Sequence, residues 1–253
     1  MRIPEKISIF WNPWHGCTKV SPGCQHCYVY RMDKRFGRNP EICTPTGTLD
    51  LPIWRVGRKK SEKKYRIPPG STVMTCFTSD FLLKEADEFR EVAWECIRER
   101  SDCQFSFITK RVDRFLECIP DDWGNGWDNV HVTCTIENQK MADYRMPIFL
   151  NLPIKHRSLC LEPLLEYVDL TPYLPSSNIE YVVSGGESGS GARQCRYEWI
   201  KRIKDDLDKY QIPLWFKQTG ARFIDENGVL HRVARCNQFK EADKLGLSNF
   251  SLT

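Results

Sequence analysis

Seven short apolar runs recur along the chain, rich in β-branched and aromatic residues, and six of them close on polar ones. They are ISIFW (7–11), STVMTCFTSD (71–80), CQFSFITKR (103–111), NVHVTCTIEN (129–138), HRSLCLEP (156–163), IEYVVSGGESG (179–189) and IPLWFKQTG (212–220). Helix-compatible stretches separate several of them. In 85–100, Phe89, Val92, Ala93, Cys96 and Ile97 recur at helical spacing. RVDRFLECI reads as a short helix, and QKMADYRMPIFLNL follows the fourth run. In 196–210, Trp199, Ile200, Ile203, Leu207 and Tyr210 share a face.

Strands alternating with helices predict an α/β fold with a parallel sheet of right-handed βαβ units. Six or seven such units in 253 residues, 41% of them hydrophobic, suit a partial or closed (β/α) barrel of the TIM-barrel kind. A doubly wound open sheet is the alternative. The barrel is expected over 1–220, with a hairpin and tail over 221–253 packed on it. Residues 38–70 break the rhythm as a Pro-, Gly- and Lys/Arg-rich excursion. Its basic cluster, Arg58 to Lys60 with Lys63, Lys64 and Arg66, reads as a solvated loop or as a phosphate contact. No apolar run approaches the ~18 residues needed to span a bilayer. The opening MRIPEKISIFWNPW lacks the features of a signal peptide. The expectation is a cytoplasmic protein with no membrane partner.

In a parallel sheet the polar strand ends share one face, where such folds build their sites. Those ends are Ser79 and Asp80, Thr109 to Arg111, Glu137 and Asn138, Glu162, Gly185 to Ser188, and Lys217 with Gln218. Singly, each also reads as a helix cap or a solvated turn; together they favour a ligand pocket. In the fifth run Cys160 and Glu162 point the same way, because side chains alternate. Glu162 then serves as a proton acceptor or substrate anchor. Cys160 serves as a hydrogen-atom donor beneath it, or simply as a core residue.

Twelve cysteines in a chain without a signal peptide point to free thiols rather than disulfides. Most, including Cys76, Cys96, Cys134 and Cys160, lie in apolar stretches and read as small hydrophobes. Cys17, Cys24 and Cys27 differ: they fall within eleven positions on the loop after the first run, in WNPWHGCTKVSPGCQHCY. Zinc would need a fourth ligand from His15, His26 or Cys43. A [4Fe–4S] cluster would take the three thiolates and keep one iron open for a small molecule.

A cluster on the loop after the first strand of a barrel resembles the radical S-adenosylmethionine enzymes. The Cys-x2-Cys gap matches their usual Cys-x3-Cys-x2-Cys, whereas the first gap here is six residues. More specifically, WNPWHGCTKVSPGCQHCY, FTSDFL, FITKR, VTCTIENQ, CLEPLL, VVSGGESGSGAR and PLWFKQTG resemble a phage-associated three-cysteine-motif family, in order from about residue 7 to 220. That family is similar in turn to radical S-adenosylmethionine barrels akin to spore photoproduct lyase. The resemblance implies that Cys17, Cys24 and Cys27 ligate the cluster and that Ser79 and Asp80 hold the cofactor's amino group. It further implies that Glu137 and Asn138 bind its ribose and that Lys110 and Arg111 pair with its carboxylate or a substrate phosphate. Gly185, Gly186 and Glu187 would contact adenine or substrate, and Trp14 and Tyr28 would shield the cluster or pack in the core.

The expected function is therefore a radical S-adenosylmethionine-type enzyme, a lyase or nucleic-acid modifier, acting on a nucleic acid or nucleotide. It would be served by an electron donor and a partner protein. A zinc-stapled nucleic-acid-binding protein without catalysis is the alternative, as is a barrel whose cluster is structural or redox-active.

Overall fold

The protein is described by a computed structural model over residues 8–57 and 63–251; Arg58 to Lys60 of the basic cluster lie outside the described residues. The seven apolar runs form one sheet: β1 (Ser8–Trp11), β2 (Thr72–Thr75), β3 (Gln104–Thr109), β4 (Val130–Thr135), β5 (His156–Leu161), β6 (Ile179–Gly185) and β7 (Leu214–Gln218). Hydrogen bonding takes them in chain order, β1 through β7. The registers run parallel, as in Ser8 with Thr72, Thr72 with Gln104, Leu159 with Val182 and Val182 with Leu214.

This order never reverses, so the doubly wound alternative, which requires a reversal at its switch point, does not apply. Among the described residues, no pairing joins β7 back to β1. The fold is a partial barrel of parallel strands. Among the described residues no helix is long and apolar enough to cross a membrane.

Helix α1 (Tyr28–Arg35) in the cysteine loop was not expected, whereas α2 (Asp87–Glu99), α3 (Phe115–Cys118), α4 (Gln139–Leu150) and α5 (Tyr197–Asp208) fall in the helix-compatible stretches. Helix α6 (Gln238–Lys244) in the tail was likewise not expected. In α2 the buried stripe is Arg90, Ala93, Trp94, Cys96 and Ile97, with Phe89 and Val92 at its half-buried margin. In α5, Ile200, Ile203 and Leu207 are buried, and Tyr210 falls beyond the helix end.

Backbone contacts divide the chain into two compact units. The first comprises Met1–Thr18, Asp33–Thr133 and Pro153–Lys155. Its core is aromatic. Phe81 stacks on Phe107 at 4.5 Å between centroids, meets Trp94 edge-on at 4.9 Å, and lies 5.3 Å from Trp14. Offset and edge-on pairs add attraction beyond the area they bury. The 38–70 excursion is anchored by the buried Arg100 just after α2, whose guanidinium donates to the carbonyls of Pro52 (2.6 Å) and Ile67 (2.9 Å) and to Asp102 (2.7 Å).

The second unit comprises Lys19–Met32, Cys134–Leu152 and His156–Thr253. Leu159, Leu161, Val182, Leu214 and Phe216 fill its core. A hairpin follows β7: β8 (Arg222–Ile224) pairs antiparallel with β9 (Leu230–Arg232). The outer edge of β7 is met by side chains of the tail. Asn249 Oδ1 accepts from Leu214 N–H at 2.7 Å, and Ser248 Oγ accepts from Phe216 N–H at 3.0 Å.

Phe81→Ala removes the ring that Trp14, Trp94 and Phe107 all touch. Chemical unfolding of this variant should show a loss of about 3–5 kcal/mol, the range for an emptied aromatic core position.

Candidate functional site

In the first unit the strand ends gather on Cys17. Gly16 sits at φ +100°, and a Cβ there would fall 2.2 Å from the carbonyl oxygen of Ile42, so only glycine fits. Cys17 N–H donates to Pro40 O at 2.7 Å, and the Ser79 hydroxyl donates to Gly16 O. Asp80 is buried and receives four donors: Leu82 N–H (3.0 Å), the Thr109 hydroxyl (2.8 Å), Lys110 N–H (2.9 Å) and Arg111 Nη1 (3.0 Å). Two donors per oxygen saturate this carboxylate.

Arg111, itself buried, is thereby held with Nη1 3.7 Å from Cys17 Sγ and Nη2 2.7 Å from Thr18 O. Burial opposes its charge, but Asp80 and Cys17 outweigh that effect and hold the guanidinium above its ordinary value. Trp14 is fully buried against Phe81 and is a core residue. His15, a zinc-ligand candidate, has Nε2 within 2.9 Å of both oxygens of Asp33.

In the second unit the turn carrying Cys24 rests on a buried ion pair. Gly23 N–H donates to Glu137 Oε1 at 3.2 Å, and Arg145 Nη1 donates to Glu137 Oε2 at 2.6 Å. Glu137 is 0% and Arg145 2% exposed. A Cβ on Gly23 would press to 3.1 Å from that carboxyl. Asn138, expected at a ribose, caps α4: its Oδ1 accepts from Met141 N–H at 2.9 Å.

Glu162 Oε2 accepts from Lys217 Nζ at 2.8 Å, and its Oε1 from Gln218 Nε2. Lys217 is disfavoured by burial, yet Glu162 and then Cys160 hold its charge above the ordinary value. Gly185 leaves room for this group, since a Cβ there would lie 2.9 Å from Glu162 Oε1. Gly186 allows the backbone of Thr219 to approach, with a virtual Cβ only 2.2 Å from Thr219 O.

Glu187 is gripped by Arg193, whose Nε and backbone N–H reach Oε2 at 3.0 and 2.9 Å. Burial pushes the Glu187 carboxyl up, but Arg193 and the nearby His26 bring it below its ordinary value. Arg31 Nη1 donates to Ser188 O, and Arg193 Nη1 reaches Gln25 Oε1 at 3.3 Å. The glycine-rich loop after β6 is thus tied to the Cys24–Cys27 segment.

All twelve cysteines are free thiols. Burial pushes Cys96 and Cys195 up to about 12 and Cys43 up to about 11. Without a bound metal, such thiols stay protonated at neutral pH. Cys17, Cys24 and Cys27 are each half-buried. Among the described residues, no three His, Cys, Asp or Glu side chains stand together so as to hold a metal ion. As donor chemistry, the thiols of Cys17, Cys24 and Cys27 suit either zinc or an iron–sulfur cluster.

A family model described as "Protein of unknown function (DUF5131)" matches residues 5–245. The chain belongs to the DUF5131 family. No curated protein and no solved structure matches it.

Three residues of this DUF5131 chain carry the site without having stood out in the sequence: Arg145, Arg31 and Arg193. Arg145 left a readable signal. It lies on the stripe of Ala142, Met146 and Phe149, and a charge on a buried stripe demands a partner.

Two outcomes test this arrangement. Glu137→Gln strands Arg145 in the interior and should cost about 3–5 kcal/mol in urea unfolding, whereas replacing both partners by leucine should cost less. Glu187 has a lowered folded pKa, so its pairing stabilises fully above its ordinary value of 4.5 and fades as pH falls through the folded value. Arg193→Gln should flatten that acid-side loss in a series of unfolding curves.

Proposed function

We propose that the protein is a cytoplasmic radical S-adenosylmethionine-type enzyme acting on a nucleic acid or nucleotide, with Cys17, Cys24 and Cys27 holding a [4Fe–4S] cluster. Kinship with phage-associated three-cysteine proteins and with spore photoproduct lyase is part of the same proposal. The observation that carries it is Arg111: a buried guanidinium, fixed by Asp80, with Nη1 3.7 Å from Cys17 Sγ. A thiolate at Cys17 would meet a permanent positive charge, the environment that favours ligating cysteines.

When bound, the cluster supplies the single electron that cleaves S-adenosylmethionine. The chain's own residues do the positioning. Ser79 holds the Gly16 carbonyl and with it the turn entering Cys17, while Glu137 holds the turn entering Cys24. Arg111 neutralises charge gathered at Cys17. Lys110, at the same strand end, is suited to the cofactor carboxylate or a substrate phosphate. Asp80 and Glu137 have both oxygens engaged, so they support this reading as positioning groups. Glu162, with Lys217 on Oε2 and Gln218 on Oε1, is placed as a substrate anchor or proton acceptor. The reaction requires an external electron donor, and a partner protein is a natural carrier of it.

Anaerobic reconstitution with iron and sulfide tests the reading. The expected product is brown, holds about four irons per chain, and releases 5′-deoxyadenosine when reduced with S-adenosylmethionine. Cys17→Ala should lose the iron, and Arg111→Gln should lower iron occupancy while the circular dichroism stays native. One zinc per chain with no iron uptake would return the zinc-stapled binding protein instead. Stable iron without 5′-deoxyadenosine would make the cluster structural or redox-active.

A further inference from the structure

A groove of about 560 Å³ opens within the second unit, between the loop of Gly189, Ser190 and Gly191 and the hairpin β8–β9. Two arginines line it, Arg222 on β8 and Arg232 on β9. The hairpin register sets them directly opposite each other. Opposed residues of an antiparallel pair have Cβ atoms about 4.5–5.5 Å apart on one face, and like charges there destabilise the pair. Two other arginines of this unit are matched by carboxylates, Arg145 by Glu137 and Arg193 by Glu187. Among the described residues, neither Arg222 nor Arg232 has a carboxylate in an ion pair. Arg222 Nε is moreover buried with no hydrogen-bond partner, and a buried donor left unmade costs free energy. The opposite wall is suited to an anion. Gly189 and Gly191 sit at φ +96° and +81°, in a turn whose backbone can bare N–H groups.

We propose that this groove is a phosphate-binding site, with Arg222 and Arg232 as the paired cations and the Gly189–Gly191 turn as its backbone wall. An anion between the two guanidinium groups relieves their repulsion and gives Nε the acceptor it lacks. Planar forked donors suit phosphate oxygens in particular. The groove adjoins the Cys24–Cys27 segment, because Arg31 holds Ser188 and a Cβ on Gly191 would fall 3.8 Å from His26. The site deepens the nucleic-acid or nucleotide reading by naming where its phosphates bind, and it does not depend on the cluster.

The experiment uses the purified full chain without added metal. A fluorescein-labelled single-stranded oligonucleotide is titrated by anisotropy at several salt concentrations, and adenosine triphosphate and inorganic pyrophosphate are titrated by calorimetry. Arg222→Gln, Arg232→Gln and the double variant are compared with Lys201→Gln, a surface charge on α5. The double variant should bind the oligonucleotide roughly tenfold or more weakly. Its log–log salt dependence should be shallower by about 1.4, the loss of two phosphate contacts on a single strand. Lys201→Gln should match the wild type.

Triphosphate or pyrophosphate binding that is lost in the double variant, with no oligonucleotide binding, leaves the groove standing and rejects the nucleic-acid source. Wild-type behaviour of the double variant toward every probe overturns the proposal, as does failure of the wild type to bind any of them. Unfolding curves on the double variant guard against misfolding: relief of the like-charge pair should leave its stability unchanged or raised, and a collapsed fold moves the test to the single variants.

Discussion

The carboxylates that this fold buries at its strand ends are each met by an arginine. Asp80, Glu137 and Glu187 are 5%, 0% and 6% exposed, and Arg111, Arg145 and Arg193 answer them. A lone buried carboxylate is too costly to keep charged, and a paired one forces its partner into a single place. Arg145 and Arg193 lie on the segments that follow their carboxylates' own strands, and Arg111 follows the neighbouring β3, so each ion pair fixes a loop or helix as well as a charge. The turns entering Cys17 and Cys24 inherit that order, through Ser79 in one case and Gly23 in the other.

Much of the architecture was legible because the sequence signals and the physics agreed. All seven strands lie within the apolar runs, and α2, α4 and α5 fall where the apolar spacing puts them. The strand-end list found Asp80, Glu137, Glu162 and Glu187 as special positions, but composition cannot tell a carboxylate awaiting a ligand from one already satisfied by an arginine. Asn138 shows the same ambiguity. A polar residue after a strand is also the residue before a helix, and the capping bond won. Trp14 was open between core and shield, and the neighbouring Phe81, Phe107 and Trp94 decided for the core. Arg31 and Arg193 were not legible at all, because their acceptors lie far away in sequence or across a loop whose glycines carry no side-chain signal.

The cysteines divide by environment in a way spacing only suggested. Cys76, Cys96, Cys103, Cys118, Cys134, Cys160 and Cys195 are buried, and those with a resolved shift are pushed up by burial. The three thiols of the N-terminal loop keep access to water, and Cys17 alone among them has a guanidinium beside its sulfur. Arginine plays opposite parts in this molecule. At Asp80, Glu137 and Glu187 it completes the interior, whereas at β8–β9 it stands against its own kind and calls for an outside anion.

Among the described residues β7 has no strand on its far side, and Ser248 and Asn249 occupy hydrogen-bonding groups there. An unprotected strand of this kind is a template on which another molecule can add. Two small polar side chains near residue 250 thus occupy donors that another strand would otherwise use. Without those two side chains, the N–H groups of Leu214 and Phe216 would lose their acceptors and face any incoming strand.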